Sequence, residues 1–164
     1  MRKFQIEKST GRFLGFDVGT HRLGYAAIYW TRSLPRIFKL GMIVKDKEFS
    51  FKNDFRKIES AIKEIKPKLV VLEKIYFSKN VTNALYIAEI QGLIKYACSK
   101  NNADFIEVHP RTLKLKITGD GNSDKEDMKY YINFWFKSKK IKNDLPDDIY
   151  DALALALYGS LILV

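Results

Sequence analysis

Four acidic side chains stand where otherwise apolar segments begin or end. They are Asp17, Glu73, Asp148 and Asp151. An ionised carboxylate at the end of a buried element costs free energy unless it is paired or binds a cation. If the four converge, their oxygens form a site for a hard cation such as Mg²⁺ or Mn²⁺. Two such ions roughly 4 Å apart can activate a water and stabilise the leaving oxygen in phosphodiester hydrolysis.

The acids near the C-terminus also have a simpler explanation. Acids in the first turns of a helix are favoured by the helix dipole, and this alone accounts for Asp147 and Asp148. The helix-dipole explanation is weaker for Asp151, which shares a helix face with Asp148 and lies among Ala and Leu residues. It does not apply to Glu73, which directly follows the apolar run 69–72.

The overall charge points to a polyanionic partner. The chain has 164 residues with 29 Lys and Arg against 19 Asp and Glu, so its formal net charge is +10. Such an excess favours DNA, RNA or an anionic membrane surface, although it is also typical of a solubility charge in a Lys-rich proteome. A hydrophobic content of 46% excludes a disordered chain, and the length predicts a single domain over residues 1–164.

Cysteine content and hydropathy predict the compartment. Cys98 is the only cysteine, so an intramolecular disulfide and a zinc site built on several thiolates are excluded. The longest apolar run, 152–164, is shorter than the about 20 residues that span a bilayer. The charged N-terminus has no apolar signal region. We therefore expect a reduced, cytoplasmic protein without a membrane segment.

The hydrophobic pattern predicts an α/β fold, because three strands precede an alternation of helices and strands. This order indicates a mixed sheet flanked by helices. Pro67 is expected to end the first helix, a Ser123–Glu126 capping box to begin a later one, and Pro146 to open the last helix in its first turn. The predicted segments are strands 12–17, 23–30, 36–44, 68–73 and 104–108 and helices 51–65, 81–99, 110–117, 123–137 and one from 146 onward.

Several motifs in order resemble one family. The family's first strand and hairpin are similar to Gly15-Phe-Asp17-Val-Gly19 with Gly24-Tyr25. Its second acid and the segment that follows are similar to residues 72–80. Its C-terminal double acid is similar to Asp148-Ile-Tyr-Asp151-Ala-Leu-Ala. Over residues 13–160 the chain resembles the RuvC family of Holliday-junction resolvases, within the RNase H-like superfamily. It departs from the family at Val18, where proline is usual; this changes turn rigidity and leaves the acid in place.

The resemblance implies a fold and a set of site residues. The fold is an RNase H-like mixed five-stranded sheet flanked by helices. The metal-binding catalytic set is Asp17, Glu73, Asp148 and Asp151, with two Mg²⁺ ions for which Mn²⁺ can substitute, while Asp147 is an acid that the motif does not require. The further site residues that it implies are the catalytic and DNA-binding lysines Lys114 and Lys125 and the DNA-binding residues Tyr76, Lys79 and Asn80.

The resemblance also implies partners and an activity. The family nicks four-way DNA junctions symmetrically as a homodimer, and helix 81–99 is the candidate dimer face. A RuvA–RuvB motor is the implied further partner. Two alternatives remain: a YqgF-type nuclease acting on RNA, and a non-catalytic nucleic-acid-binding module, which would have lost at least one acid. Residues 1–11 are either a flexible basic arm or a disordered end.

Overall fold

Five strands and five helices make up the described part of the chain. The computed structural model describes residues 11–44, 50–75, 81–137, 141 and 145–163. The elements in chain order are β1 (Arg12–Val18), β2 (Arg22–Trp30), β3 (Pro35–Val44), α1 (Phe51–Ile65), β4 (Leu69–Glu73), α2 (Val81–Lys100), β5 (Asp104–Val108), α3 (Pro110–Thr118), α4 (Lys125–Phe136) and α5 (Asp147–Ile162).

The strands form one mixed sheet in the order β3-β2-β1-β4-β5. β2 is antiparallel to both β1 and β3, whereas β4 runs parallel to both β1 and β5. One face packs against α3, α4 and α5, and the other against α1 and α2. The predicted mixed five-stranded sheet flanked by helices is therefore confirmed. No helix among the described residues is long and apolar enough to cross a membrane.

The central strands are apolar on both faces because helices cover both sides of the sheet. Phe13 and Val71 point into the core under α5, whereas Leu14 and Val70 point into the core under α1 and α2. All four are fully buried. A strand buried on both sides leaves its ends as the only places where a charged side chain can reach water.

Glycines let α5 lie directly on the sheet. A Cβ at Gly15 would come within 2.1 Å of the Ala152 carbonyl oxygen, and one at Gly24 within 2.5 Å of the Asp148 carbonyl oxygen. Real Cβ atoms do not approach so closely, so these two positions require glycine. The first turns of α5 are thereby fixed over the hairpin of β1 and β2.

Two predicted helix starts differ from the structure. The predicted capping box at Ser123 and Glu126 is wrong: Asp124 caps α4 and exchanges hydrogen bonds with Asp127. Ser123 is buried, and its hydroxyl is hydrogen bonded to the Thr118 hydroxyl and the Asp120 carbonyl, so it is not available as a cap. Pro146, expected in the first turn of α5, instead precedes the helix at its N-cap position.

Candidate active site

Asp17 and Glu73 lie at the same edge of the sheet. Each stands at the C-terminal end of its strand, and β1 and β4 are parallel neighbours with Phe16 paired to Leu72. Asp17 directly follows Phe16 and Glu73 directly follows Leu72, so the two carboxylates are neighbours at this edge. Glu73 is the more exposed of the two, and Asp17 is partly buried.

The N-terminus of α5 reaches the same edge. Gly24 pairs with Asp17 across the antiparallel β1–β2 ladder, and the main chain of Asp148 rests on Gly24. Asp148 and Asp151 are both partly buried. The structure thus assembles acids from β1, β4 and α5 around one end of the hairpin.

Crowding of these acids changes their protonation. The pKa of Asp17 is raised from its ordinary value of 3.8 to about 7, mainly by burial and then by the negative charges of Asp151, Asp148 and Glu73, while Lys125 opposes them. Burial is also the main reason that the pKa of Glu73 is raised, with Asp151 adding to the effect. A carboxylate cluster that disfavours its own ionisation is stabilised by added positive charge.

Asp151 lies in the same electrostatic environment. Burial raises its pKa, and the negative charges of Asp147 and Asp148 raise it further, whereas Lys125 and Lys129 lower it. The positive charge of Lys125, on α4, therefore lowers the pKa of both Asp17 and Asp151.

The four acids are neighbours without forming a closed ligand shell. Within the described residues, no three Asp, Glu, His or Cys side chains come together closely enough to hold a metal ion. Like charges repel one another, and an arginine holds one of the four. The Nε atom of Arg22, which sequence reasoning missed, lies 3.1 Å from Asp148 Oδ2. That oxygen is shielded from solvent and has no well-aligned hydrogen bond.

The two predicted lysines act on different members of the acid group. Lys114, in α3, lowers the pKa of Glu73 through its positive charge. Lys125 is the first residue of α4, and its Nζ lies 2.7 Å from Asp147 Oδ2. Asp147 also pairs through Oδ1 with Lys129 Nζ at 3.1 Å. Asp147 thus belongs to an ion-pair group with two lysines, which lower its pKa.

A cleft of about 440 Å³ runs from Asp17 and Glu73 along α2. Gln91 lines it and is only 2% exposed, and its Nε2 donates a 2.8 Å hydrogen bond to the main-chain carbonyl of Glu73. Sequence reasoning gave Gln91 no role, because spacing alone does not show which carbonyl a side chain reaches. The predicted DNA-binding residues Tyr76, Lys79 and Asn80 lie outside the described residues.

The donor chemistry of the site fits a hard divalent cation. All candidate ligands are carboxylate oxygens, the donors that Mg²⁺ and Mn²⁺ prefer. The pKa of Asp17 is raised mainly by burial and also by three neighbouring carboxylates, and a bound cation would offset both effects. The nearby lysines suit a phosphate group. This sheet order, with carboxylates at one edge and lysines around them, defines an RNase H-like nuclease domain.

The family follows from comparison with known proteins. Residues 13–158 match the family model described as crossover junction endodeoxyribonuclease RuvC, and the chain belongs to this family. The RuvC of Brachyspira hyodysenteriae is 36% identical over 148 residues, covering 88% of this chain and 90% of its own. That of Carboxydothermus hydrogenoformans is 35% identical over 153 residues, covering 92% and 96%. The predicted family, with its junction-cleaving endodeoxyribonuclease activity, is confirmed.

Solved structures agree in fold. Thermus thermophilus RuvC superposes with a TM-score of 0.83 at 18% identity, over 93% of this chain and 95% of that one. The same protein in complex with a Holliday junction substrate gives a TM-score of 0.82 at 17% identity, over 92% and 94%. At these identities the likeness establishes the RNase H-like fold, and the site residues are argued from this chain's own geometry.

Proposed function

We propose that this chain nicks four-way DNA junctions at the carboxylate-lined cleft with the help of bound Mg²⁺. The observation that carries the proposal is the convergence of acids from β1, β4 and α5, seen in the raised pKa of Asp17 and the charges that raise it. The RuvC of Thermus thermophilus, similar in fold, has been solved with a Holliday junction substrate.

The residues that would hold the metal are Asp17, Glu73, Asp148 and Asp151. Two Mg²⁺ ions, or Mn²⁺ in their place, would supply an activated water and stabilise the leaving oxygen of the cut phosphodiester. Arg22 must release Asp148 for that carboxylate to act as a ligand, and its side chain is exposed enough to turn away.

The lysines bind the phosphate to be cut. Lys114, on α3, acts electrostatically on Glu73, and Lys125, on α4, acts on Asp17, so a phosphate bound at the acids meets a cation from each of two helices. A fixed ammonium stabilises charge as it develops on the phosphate oxygens. DNA contacts by Tyr76, Lys79 and Asn80 are proposed from the resemblance alone, and the net charge of +10 supports DNA binding at large.

A homodimer is the proposed working unit. A two-fold dimer brings one cleft to each of two opposed strands of a junction that is itself roughly two-fold. The outward face of α2 supports this, since Leu85 and Tyr96 are exposed there beside the open surface at Gly92. RuvA–RuvB is the proposed further partner, and the cytoplasm, where the single buried thiol of Cys98 stays reduced, is the proposed location.

The alternatives predict different substrates. A YqgF-type RNA nuclease would cut RNA or an RNA–DNA hybrid, and a non-catalytic module would bind without cutting. The complete set of four acids disfavours the module, because a non-catalytic relative has no need to keep a site that opposes its own ionisation.

A cleavage assay with labelled nucleic acids tests the proposal. The substrates are a synthetic four-way junction, the linear duplex and an RNA–DNA hybrid, each with Mg²⁺ or with EDTA. We expect paired nicks in the junction with Mg²⁺ only, and we expect Asp148→Asn to abolish nicking while junction binding persists. Cleavage of the hybrid instead of the junction would support the RNA nuclease, and binding without any cleavage would support the module.

A further inference from the structure

Asp147 has two lysine partners although the double-acid motif does not require it. Its Oδ2 lies 2.7 Å from Lys125 Nζ, and its Oδ1 lies 3.1 Å from Lys129 Nζ. The two lysines are one turn apart on α4, so a single carboxylate on α5 ties down two successive positions of the neighbouring helix. Lys129 is further held by Glu126 at 3.2 Å.

This arrangement matters because Lys125 has to be held to act. A lysine has a long flexible side chain, and the side chain of Lys125 is 54% exposed. Yet its ammonium acts electrostatically on both Asp17 and Asp151, so it lies beside the carboxylate cluster. A cation that is fixed before the substrate binds loses less conformational freedom when charge develops on the phosphate.

Lys129 pairs with the other carboxylate oxygen of Asp147, Oδ1. Because Oδ1 is taken by Lys129, Asp147 presents Oδ2 to Lys125 in one orientation. Lys129 is the less exposed of the two lysines, at 28% against 54%, and its ammonium also lies 5.9 Å from the ring centre of Tyr150. Lys129, the less mobile lysine, therefore orients the Asp147 carboxylate, and this carboxylate in turn orients Lys125, the more mobile lysine.

We propose that Asp147 is a positioning residue that holds Lys125 at the edge of the catalytic acids, with Lys129 fixing the orientation of the Asp147 carboxylate. The proposal rests on the proposed junction nuclease function and adds a residue to it. In this role Asp147 contacts neither the phosphate nor the metal ions. It acts through the ammonium of Lys125.

A double-mutant cycle on the full chain tests this. Single-turnover junction nicking with Mg²⁺ is measured for wild type, Asp147→Asn, Lys125→Ala and the double variant. We expect Asp147→Asn to slow nicking about fivefold, near the upper end of what an exposed ion pair contributes. We expect no further loss from Asp147→Asn when Lys125 is already alanine, and recovery of most of the rate in Asp147→Glu. Junction affinity in EDTA and the melting temperature of Asp147→Asn should stay within error of wild type.

Glu64→Gln is the matched control. It also removes the carboxylate partner of a lysine, Lys39, but this ion pair joins α1 to β3 and includes neither Lys125 nor Lys129, so nicking should keep its wild-type rate. A readout besides activity is the rate at which Lys125 is acylated, followed by mass spectrometry. Loss of its ion pair in Asp147→Asn should raise that rate, whereas Glu64→Gln should leave it unchanged.

The outcomes separate this inference from the function on which it rests. A wild-type protein that does not nick junctions contradicts the proposed function. If wild type nicks and Asp147→Asn nicks as fast or faster, or loses the same factor in the Lys125→Ala background, the positioning role is wrong. Unchanged acylation of Lys125 in Asp147→Asn also counts against it, whatever the nicking rate.

Discussion

Asp17 carries the largest conflict between charge and burial among the four candidate acids. Its pKa of about 7 has burial as the main cause and three neighbouring carboxylates as the rest. The ordinary value of 3.8 describes the unfolded chain. A group whose pKa is higher in the folded state destabilises the fold whenever it is ionised, so the chain gives up stability at this position to keep a carboxylate in the cleft.

Replacing Asp17 by asparagine should therefore stabilise the metal-free protein while abolishing nicking. The unfolded chain loses the Asp17 proton above pH 3.8 and the folded chain only above about pH 7. The stabilisation by Asp17→Asn is thus absent below pH 3.8, grows between these values and is complete above pH 7. The shift from 3.8 to about 7 corresponds to about 4 kcal/mol at pH 8, which is roughly 10 °C of melting temperature for a chain of this size.

Thermal melts of both proteins in EDTA between pH 5 and pH 8 measure this. The matched control is Asp104→Asn at an exposed position on β5, which should not change the melting temperature at either pH. If Asp17→Asn melts at or below the wild-type temperature at pH 8, the four acids do not crowd one another as the structure indicates.

At the scale of the elements, the site is positioned by how closely α5 lies on the sheet. Gly24 pairs with Asp17, and its missing side chain makes room for the Asp148 main chain. One glycine thus sets the distance between an acid on β1 and an acid on α5.

Gly24→Ala should weaken nicking strongly because the added methyl group would push the first turn of α5 away. A Cβ there would lie 2.5 Å from the Asp148 carbonyl oxygen, and the contact is with main chain, which cannot swing aside. Overpacking of this kind costs about 1–3 kcal/mol of stability, and a misplacement by about 1 Å can cost about a hundredfold in rate. Single-turnover nicking and urea unfolding measure the two effects. A Gly24→Ala variant with wild-type rate would show that α5 tolerates displacement.

Gln91 should position Glu73 in a similar way from α2. Its Nε2 donates to the Glu73 carbonyl, so Gln91→Met keeps the shape of the side chain and leaves that carbonyl without its partner. We expect a loss of about 1–2 kcal/mol in the free energy of unfolding and slower nicking with unchanged junction affinity. Glu89→Gln, at an exposed position on the same helix, is the control. Equal rates for the two variants would mean that Gln91 serves packing alone.

Much of this element layout could be predicted from the chain. The order of strands and helices follows from apolar periodicity, because both faces of β1 and β4 are covered and α1 is apolar on one face. The acids could be found because an acid after an apolar run is unusual. Arg22 and Gln91 could not be assigned a role, since the first reaches Asp148 from 126 positions away and the second reaches a carbonyl, which every residue has. The N-cap of α4 is Asp124, one residue beyond the predicted Ser123, because Ser123 is buried by tertiary contacts that local spacing does not show.

At the scale of the whole molecule, one chain of 19.1 kDa carries one cleft, and a junction has two opposed strands to cut. The surface that could bring a second chain is the outward side of α2. This helix is apolar on more than its buried side: Ile90 and Ile94 are buried against the sheet, while Leu85 and Tyr96 are 53% and 61% exposed. A helix with apolar residues on its solvent side suits an interface.

Gly92→Glu tests this surface without disturbing the fold of one chain. A Cβ at Gly92 meets nothing within 4 Å, and replacing a helical glycine favours the helix, so the variant should be at least as stable as wild type as a monomer. A charged side chain on a surface packed against a second copy costs free energy unless it is paired, so the dimer should dissociate. Sedimentation equilibrium should give twice 19.1 kDa for wild type and 19.1 kDa for Gly92→Glu. Paired nicking of the junction should then give way to independent single nicks, because each cleft works alone.

Phe134→Glu, which places the same charge at an exposed apolar position on α4, should remain dimeric and nick in pairs. A wild-type protein that sediments as a monomer, or a Gly92→Glu variant that stays dimeric, would exclude α2 as the dimer face.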